Sequence, residues 1–419
     1  METKFKKSPY ILFALCFTAY AVSYITKLCF SISMAGMIDR GYITLAFGGG
    51  IGTGFLFCYG CGQFINGRLG DKINPKYMVG FGLLISALCN FGMAFTENRY
   101  LLLAIWCING FGCSMLWAPV LRCISEYLPE DVKIKAGTYV SATIPAGTLA
   151  AYGLGGIFLD LSSYRGLFVC AGIIGLTMAV IWFYGFTRLE GYIAFARENF
   201  SSRRNDGSNE KKVKFLPLLF TTGAVFAVGC ILFNGVLKDG VTLWLPSYLN
   251  DFFGVSDSTA SVILIILPVI NLLGAFFAVR LNSKIIKNEF ATAFVMFTIS
   301  LLGIVMLFLF GKYSVILAAL LVSVFTSTML GANTMLLTFV PMNFAVVGRA
   351  STLTGMLDAF SYLASAVSAV TIGVVAEKYG WSVTILSWGG VAFGGLVISA
   401  FAIPFWKKGR KLLDYYGKL

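Results

Sequence analysis

The sequence contains no histidine among its 419 residues, and charged residues make up only 12% of it, about half the share in soluble domains. Without histidine, the chain lacks the side chain that most often titrates near neutral pH. It also shows no clustered pair of external carboxylates and no nucleophile beside a base, which are signatures of an active site. A membrane-embedded enzyme is therefore the function class that the sequence supports least, and we expect neither a cofactor nor a metal ion.

Apolar residues make up 58% of the chain, more than a soluble protein could remove from water. They occur in blocks of about 20 residues, the length of a helix that crosses a bilayer. The first six predicted spans lie near 10–38, 44–67, 76–95, 99–122, 136–159 and 165–187. The second six lie near 216–249, 258–280, 290–311, 314–338, 348–376 and 381–406. The sequence therefore predicts an all-α membrane protein with twelve transmembrane helices.

The longest polar stretch of the chain is 188–214, which is charged and rich in serine and asparagine around its centre. Such a composition is typical of a linker. It predicts an N-terminal six-helix half over 1–187, a cytoplasmic linker over 188–214 and a C-terminal six-helix half over 215–419.

The placement of the basic residues predicts the orientation of the chain. Five of the 32 lysine and arginine residues fall in one set of loops and two inside spans, which leaves 25 in the termini, the linker and the other loops. By the positive-inside rule, both termini then lie in the cytoplasm, at an inner or plasma membrane. Because the basic residues flank spans and form no single face, we expect lipid and no nucleic acid as a partner. We expect a monomer.

The loop that follows the second span recurs after the eighth. Five residues of this loop reappear 212 positions later with the same spacing, in the order Gly, Arg, Leu, Lys and Ile. The pairs are Gly62 and Gly274, Arg68 and Arg280, Leu69 and Leu281, Lys72 and Lys284, and Ile73 and Ile285. Two such halves related by an axis along the membrane normal are typical of one transporter architecture.

Two six-helix halves, a central linker and a Gly-x5-Arg-Leu-Gly-Asp-Lys loop resemble the major facilitator superfamily over the whole chain. The resemblance implies the major facilitator fold of two six-helix bundles. It also implies a gating loop whose carboxylate, Asp71, and basic residues pair across the cytoplasmic gap and hold the outward-facing state. The basic gating residues implied are Arg68, Lys72, Arg280 and Lys284. The alternative is a solvated loop with ordinary charges.

Three ionisable residues within predicted spans are candidates for function, because a charge in the membrane is costly. Lys27 lies in the first span, Lys238 in the seventh and Asp358 in the eleventh. The offset of 212 takes position 27 to 239, so the two lysines occupy nearly equivalent places in the two halves. We expect them to face one cavity and to form an anion site. Two alternatives remain: Lys27 pairs with a neighbouring carboxylate, or the helix ends near Gly235–Gly240 and leaves Lys238 at the outer surface.

Five segments resemble the organophosphate:phosphate antiporters, the glycerol-3-phosphate and hexose-phosphate transporters of this superfamily. They are Tyr24-Ile-Thr-Lys27, Asp71-Lys-Ile-Asn74-Pro75-Lys76, Trp117-Ala-Pro119-Val-Leu-Arg122, Lys238-Asp-Gly-Val-Thr-Leu-Trp244-Leu-Pro246-Ser-Tyr248-Leu and Ala359-Phe-Ser-Tyr362-Leu. The resemblance implies that Lys27 and Lys238 grip a substrate phosphate and that Tyr24, Trp117 and Tyr362 line the cavity.

The resemblance implies a secondary active transporter of a small anion, an organophosphate exchanged for inorganic phosphate by alternating access. The chain departs from the antiporters in having lysine where they have arginine, which leaves selectivity over carboxylates and sulfonates open. It also lacks the histidine that glycerol-phosphate members place near the substrate. Asp358 either neutralises one of the lysines or carries a proton, and the second role would give a proton-coupled transporter of a carboxylate or phosphonate. A further alternative is a transporter-like sensor of sugar phosphates that signals to a partner.

Overall fold

A computed structural model describes residues 7–160, 164–205, 214–255 and 266–418, and this part of the chain is helical with no strand. Helices up to residue 205 are α1 Ser8–Asp39, α2 Leu45–Gly70, α3 Pro75–Phe95, α4 Arg99–Ser114, α5 Trp117–Tyr127, α6 Glu130–Tyr139, α7 Thr143–Asp160, α8 Tyr164–Arg188 and α9 Glu190–Asn205. Those from residue 214 onward are α10 Phe215–Thr221, α11 Val225–Gly235, α12 Val241–Phe253, α13 Ile266–Leu281, α14 Glu289–Phe310, α15 Val315–Asn333, α16 Val340–Asn343 and α17 Ala350–Lys418. π-Helical turns occupy Val236–Gly240, Asn282–Ile286 and Thr334–Phe339.

The predicted spans coincide with these helices, although the start of the eighth, 258–265, lies outside the described residues. Within the described ranges, eight helices are long and apolar enough to cross a bilayer, or nine if one bent pair counts as a single span. The last two predicted spans both lie in α17, which breaks at Gly380, where φ is +77°. Glycine adopts this left-handed conformation without the strain that a Cβ would cause.

Asparagine side chains fix where several helices begin. Asn74 accepts a hydrogen bond from the backbone amide of Lys76 at 3.0 Å, with Pro75 as the first helical residue of α3. Asn98 caps α4 in the same way, and Asn288 caps α14. These caps satisfy amides that a helix leaves unpaired at its start, so the polar loops of the sequence set the ends of the membrane helices.

The seventh predicted span is not one straight helix. Its first part, Phe215–Thr221, is bent by 82° from the part that begins at Val225. The bend occurs at Gly223, where φ is +74°, a backbone conformation that ends a right-handed helix. The π-helical turn Val236–Gly240 then interrupts the same span further along.

The predicted linker over 188–214 is helical at its start, where α9 occupies Glu190–Asn205, and 206–213 lie outside the described residues. Leu189, Tyr192 and Ile193 are buried, so the segment has an apolar face despite its polar composition. Its first residue, Glu190, forms an ion pair with Lys76 at 2.6 Å. The composition of the segment did not predict this face, because a few apolar residues on one side of a helix change the average polarity little.

The chain divides into two compact units. The first runs to Ser208 and includes Val347–Ala359, the beginning of α17. The second comprises Asn209–Val346 and Phe360–Gly417. The predicted boundaries at 187 and 215 stay a prediction.

Candidate functional site

Lys27 lies deep in α1, about 18 Å from the end of the helix at 1.5 Å per residue. Its ammonium nitrogen is buried and has no hydrogen-bond partner among the residues that the structure describes. A lysine placed so far from either end of a membrane helix cannot easily extend to the bilayer surface. Its charge must therefore be stabilised by groups around it.

Three tyrosine rings surround the Lys27 ammonium. The nitrogen lies 4.4 Å from the ring centre of Tyr24, 4.9 Å from that of Tyr59 and 5.2 Å from that of Tyr20. Tyr24 and Tyr20 precede Lys27 by one and two helical turns on the same face, whereas Tyr59 comes from α2. Each such cation–π contact contributes about 0.5–2 kcal/mol, more where water is excluded. We call these three rings the tyrosine cage.

A buried polar cluster fixes the turn of α1 that precedes Lys27. The backbone carbonyl of Thr26 accepts hydrogen bonds from the amides of Asn90 at 3.1 Å and Asn109 at 3.3 Å. Ser86 donates to the Thr26 hydroxyl at 2.8 Å. These partners come from α3 and α4 and are buried, so two neighbouring helices hold the α1 backbone beside Lys27. Sequence reasoning missed this cluster, since isolated buried amides carry no motif.

Asp358 and Trp117 lie in the same compact unit as Lys27. Asp358 is buried near the start of α17, and its carboxylate acts electrostatically on Lys27. Whether Asp358 neutralises a lysine or carries a proton stays a prediction. Trp117 is buried at the start of α5, with its ring 4.6 Å from that of Tyr20. It thus adjoins the tyrosine cage, and its expected place in the substrate cavity stays a prediction.

Lys238 lies in the second unit, in the π-helical turn Val236–Gly240. The alternative in which the helix ends here is wrong, because the chain continues directly into α12. The Lys238 ammonium forms an ion pair with its sequence neighbour, at 2.6 Å and 2.7 Å from the two carboxylate oxygens of Asp239. Tyr362 belongs to the same unit and is half-buried one turn after Asp358 in α17.

Asp71 follows α2 and contacts the first turn of α17. Its carboxylate accepts hydrogen bonds from the backbone amides of Ser351 and Thr352, both at 2.9 Å, and from the Thr352 hydroxyl. Burial raises the pKa of this carboxyl, although these hydrogen bonds act in the opposite direction. A carboxylate at a helix N-terminus is stabilised by the helix dipole and the free amides.

The hydrogen-bond donors to Asp71 are two backbone amides and a hydroxyl at the start of a helix. The resemblance implied basic side chains as its partners instead. The basic residues expected in the gating loop are exposed: Arg68, Lys72, Arg280 and Lys284. Close packing supports the contact, because a Cβ on Gly67 would lie 2.7 Å from the Cα of Gly355. The gating roles stay predictions.

Comparison with known proteins assigns the class. Residues 12–365 match the Major Facilitator Superfamily. The solved structure of a proton:xylose symporter of that superfamily aligns with a TM-score of 0.73 over 95% of this chain and 96% of the other, at 13% identity. The chain belongs to the Major Facilitator Superfamily, and the predicted all-α membrane fold of two six-helix bundles is confirmed.

Two curated relatives indicate where in the superfamily the similarity lies. A probable hexose phosphate transport protein of Chlamydia muridarum is 23% identical over 421 residues, which cover 95% of this chain and 91% of that protein. The hexose-6-phosphate:phosphate antiporter of Escherichia coli K12 is 25% identical over 252 residues, which cover 57% of this chain and 51% of that protein. Both carry names from the group that the sequence motifs resemble.

Proposed function

We propose that the protein is a secondary active transporter that exchanges an organophosphate for inorganic phosphate. The observation that carries this proposal is the Lys27 ammonium, buried in a membrane helix with no hydrogen-bond partner in the described ranges. A buried cation is costly unless a ligand or counter-charge completes its surroundings, so Lys27 is suited to hold an anion. The names of the relatives, hexose phosphate transport and hexose-6-phosphate:phosphate antiport, favour a phosphate ester as that anion.

The proposed mechanism is alternating access, with Lys27 and Lys238 binding one anion from the two halves. This pairing rests on their equivalent positions in the sequence repeat. An anion that neutralises a lysine from each half stabilises the closed arrangement, whereas without it two cations would approach each other. Reorientation of the empty protein is therefore slow, which couples the entry of one anion to the exit of another.

Expectations about the oligomeric state, the orientation, the partners and further site residues complete this proposal. The protein acts as a monomer in the inner or plasma membrane with both termini in the cytoplasm, and it catalyses no chemical reaction. The bilayer and a small anion are its partners. Trp117 and Tyr362 line the substrate cavity, and Asp71 takes part in gating.

A second candidate function is proton-coupled transport of an organic anion. The observation that favours it is Asp358, a buried carboxylate that acts on Lys27. If a proton neutralised Asp358, the positive charge of Lys27 would no longer be offset by this carboxylate and would attract a substrate anion. The anion and the proton would then be transported together. This arrangement would suit a carboxylate or a phosphonate as well as a phosphate ester.

Transport by the purified protein in proteoliposomes separates the two candidates. We expect uptake of labelled glucose 6-phosphate into vesicles loaded with inorganic phosphate and little uptake into vesicles without it, whatever the pH gradient. Uptake that needs a pH gradient, ignores internal phosphate and is lost in Asp358→Asn would contradict exchange and support the second candidate. Binding of the sugar phosphate with no flux would instead indicate a sensor.

A further inference from the structure

Lys238 already forms an ion pair with a carboxylate of its own chain. Both carboxylate oxygens of Asp239 lie within 2.7 Å of the Lys238 ammonium. In a regular α-helix, adjacent residues do not face each other, so such a pair does not ordinarily form. The wider π-helical turn over Val236–Gly240 accompanies the pair here, and π-helical turns are frequent at functional sites.

Packing against α17 holds this turn in place. A Cβ on Gly235 would lie 2.5 Å from the carbonyl oxygen of Ser361, and one on Gly240 would overlap the hydroxyl of Ser368. Ser365 donates a hydrogen bond to the carbonyl of Gly235 at 3.1 Å. The helix α17 therefore packs against the backbone both before and after the ion pair in sequence. This fixed backbone distinguishes the pair from a chance contact between two mobile surface side chains.

The pair is partly exposed and lies near a serine hydroxyl. The side chain of Lys238 is 18% exposed and that of Asp239 is 38% exposed, so neighbouring side chains do not fully enclose the pair. The hydroxyl of Ser365 lies 3.4 Å from the Oδ2 atom of Asp239. Because this hydroxyl has one proton, which it also shares with the carbonyl of Gly235, it must turn towards the carboxylate to hold Asp239 when another anion binds Lys238.

We propose that Asp239 is a specificity-determining residue, a resident counter-anion that the substrate must displace from Lys238. This inference rests on the proposed function, in which Lys238 binds the transported anion. Since attraction to a cation grows with charge, a phosphate dianion displaces a carboxylate more readily than a monoanion does. Asp239 thereby raises selectivity for phosphate esters and inorganic phosphate at a site whose lysine alone would not distinguish them well from monocarboxylates.

The same displacement affects release. When the bound anion leaves Lys238, Asp239 returns to the ammonium and lowers the chance that the anion binds again. The residue therefore weakens substrate affinity and favours turnover. A purely structural role, in which Asp239 only holds Lys238 in position, predicts weaker binding when Asp239 is neutralised, the opposite direction.

The test is phosphate exchange in proteoliposomes by the Asp239→Asn variant. We expect the half-saturating concentration of inorganic phosphate to fall about two- to fivefold, the range for removal of a partly exposed competing charge. The concentration of gluconate, a monocarboxylate, that inhibits exchange by half should fall by a larger factor than the half-saturating phosphate concentration does. The selectivity for phosphate over a monocarboxylate should therefore decrease. Asp239→Glu keeps the charge and should keep the preference.

Glu377→Gln is the matched control, because it removes one exposed carboxylate elsewhere in the second unit and should change neither quantity. A half-saturating concentration that rises or stays constant in Asp239→Asn would overturn the inference. Asp239→Ser provides a second neutral variant if Asp239→Asn does not fold. If Lys238→Met leaves exchange intact, the proposed function fails at this residue. If Lys238→Met slows exchange but Asp239→Asn does not strengthen phosphate binding, only the role of Asp239 fails.

Discussion

The two halves of the chain place a lysine at nearly the same position and surround it differently. Lys27 lies within the tyrosine cage, with Asp358 acting from the start of α17. Lys238 lies on a π-helical turn and is paired with the adjacent Asp239. Ring faces stabilise a cation without carrying a full negative charge, whereas a carboxylate neutralises it. The two halves thus share the position of a lysine, but the two lysines differ in how far neighbouring groups of the protein already neutralise their charge.

The loops after the second and eighth spans differ in a similar way. Asp71 caps the first turn of α17, whereas the equivalent position in the second half is Ser283, which is exposed and bonds only locally to the carbonyl of Arg280 in the described geometry. The charged contact is therefore built into one repeat only. Substitutions made in pairs, one in each half, test whether this difference affects transport.

The largest effect is expected from removing the two membrane lysines. Lys27→Met should reduce phosphate exchange about 100-fold and Lys238→Met about tenfold, because a charge-assisted hydrogen bond contributes about 1.5–3 kcal/mol and Asp239 already offsets part of the Lys238 charge. Initial exchange rates in proteoliposomes measure both. Lys312→Met, at an exposed lysine, is the control for loss of one positive charge. A greater loss at Lys238 than at Lys27 would contradict the difference drawn between the halves.

A smaller effect is expected at the capping carboxylate. Asp71→Asn should slow exchange about tenfold with little change in the half-saturating phosphate concentration, because it removes a charged acceptor of about 1–2 kcal/mol from the α17 terminus. Ser283→Ala, at the equivalent place, should leave the rate unchanged. Equal slowing in both variants would show that the asymmetry of the loops has no functional consequence.

The tyrosine cage should depend on rings rather than hydroxyl groups. Tyr24→Leu removes the ring nearest to Lys27 and should weaken phosphate binding about fivefold, which corresponds to about 1 kcal/mol for one cation–π contact. Tyr24→Phe keeps the ring and should bind phosphate as the wild type does. Titration of the purified variants with phosphate measures this, and a larger loss in Tyr24→Phe than in Tyr24→Leu would count against the cage.

The smallest effect is expected from the exposed basic residues of the loops. Arg68→Gln and Lys72→Gln should change the exchange rate less than about fivefold, since exposed charges seldom contribute more than about 1 kcal/mol. Their counterparts Arg280→Gln and Lys284→Gln should behave alike. A loss as large as that of Asp71→Asn would show that these residues have partners in another state of the transport cycle.

The sequence predicted the helices and their repeat because both depend on local patterns, namely apolar blocks and fixed spacing. The family resemblance also pointed to Lys27 and Tyr24, which lie one turn apart in α1. Helical spacing could have added Tyr20, which precedes Lys27 by two turns on the same face. Tyr59 could not have been found in this way, since it reaches the cage from another helix.

Two further features lay beyond local patterns. The glycines at 235 and 240 suggested the end of a helix, but they allow α17 to approach closely and accompany a π-helical turn. The partners of Asp71 lie 280 and 281 residues away along the chain, and no spacing rule links them. Both depend on how helices pack, which the order of residues within one helix does not specify.

Direct binding of inorganic phosphate tests the role of the two lysines without the complications of transport. Isothermal titration of the purified wild-type protein should show saturable binding that competes with glucose 6-phosphate, and the double variant Lys27→Met/Lys238→Met should show none. Saturable binding of equal affinity in the correctly folded double variant would contradict the assignment of these lysines as the anion site.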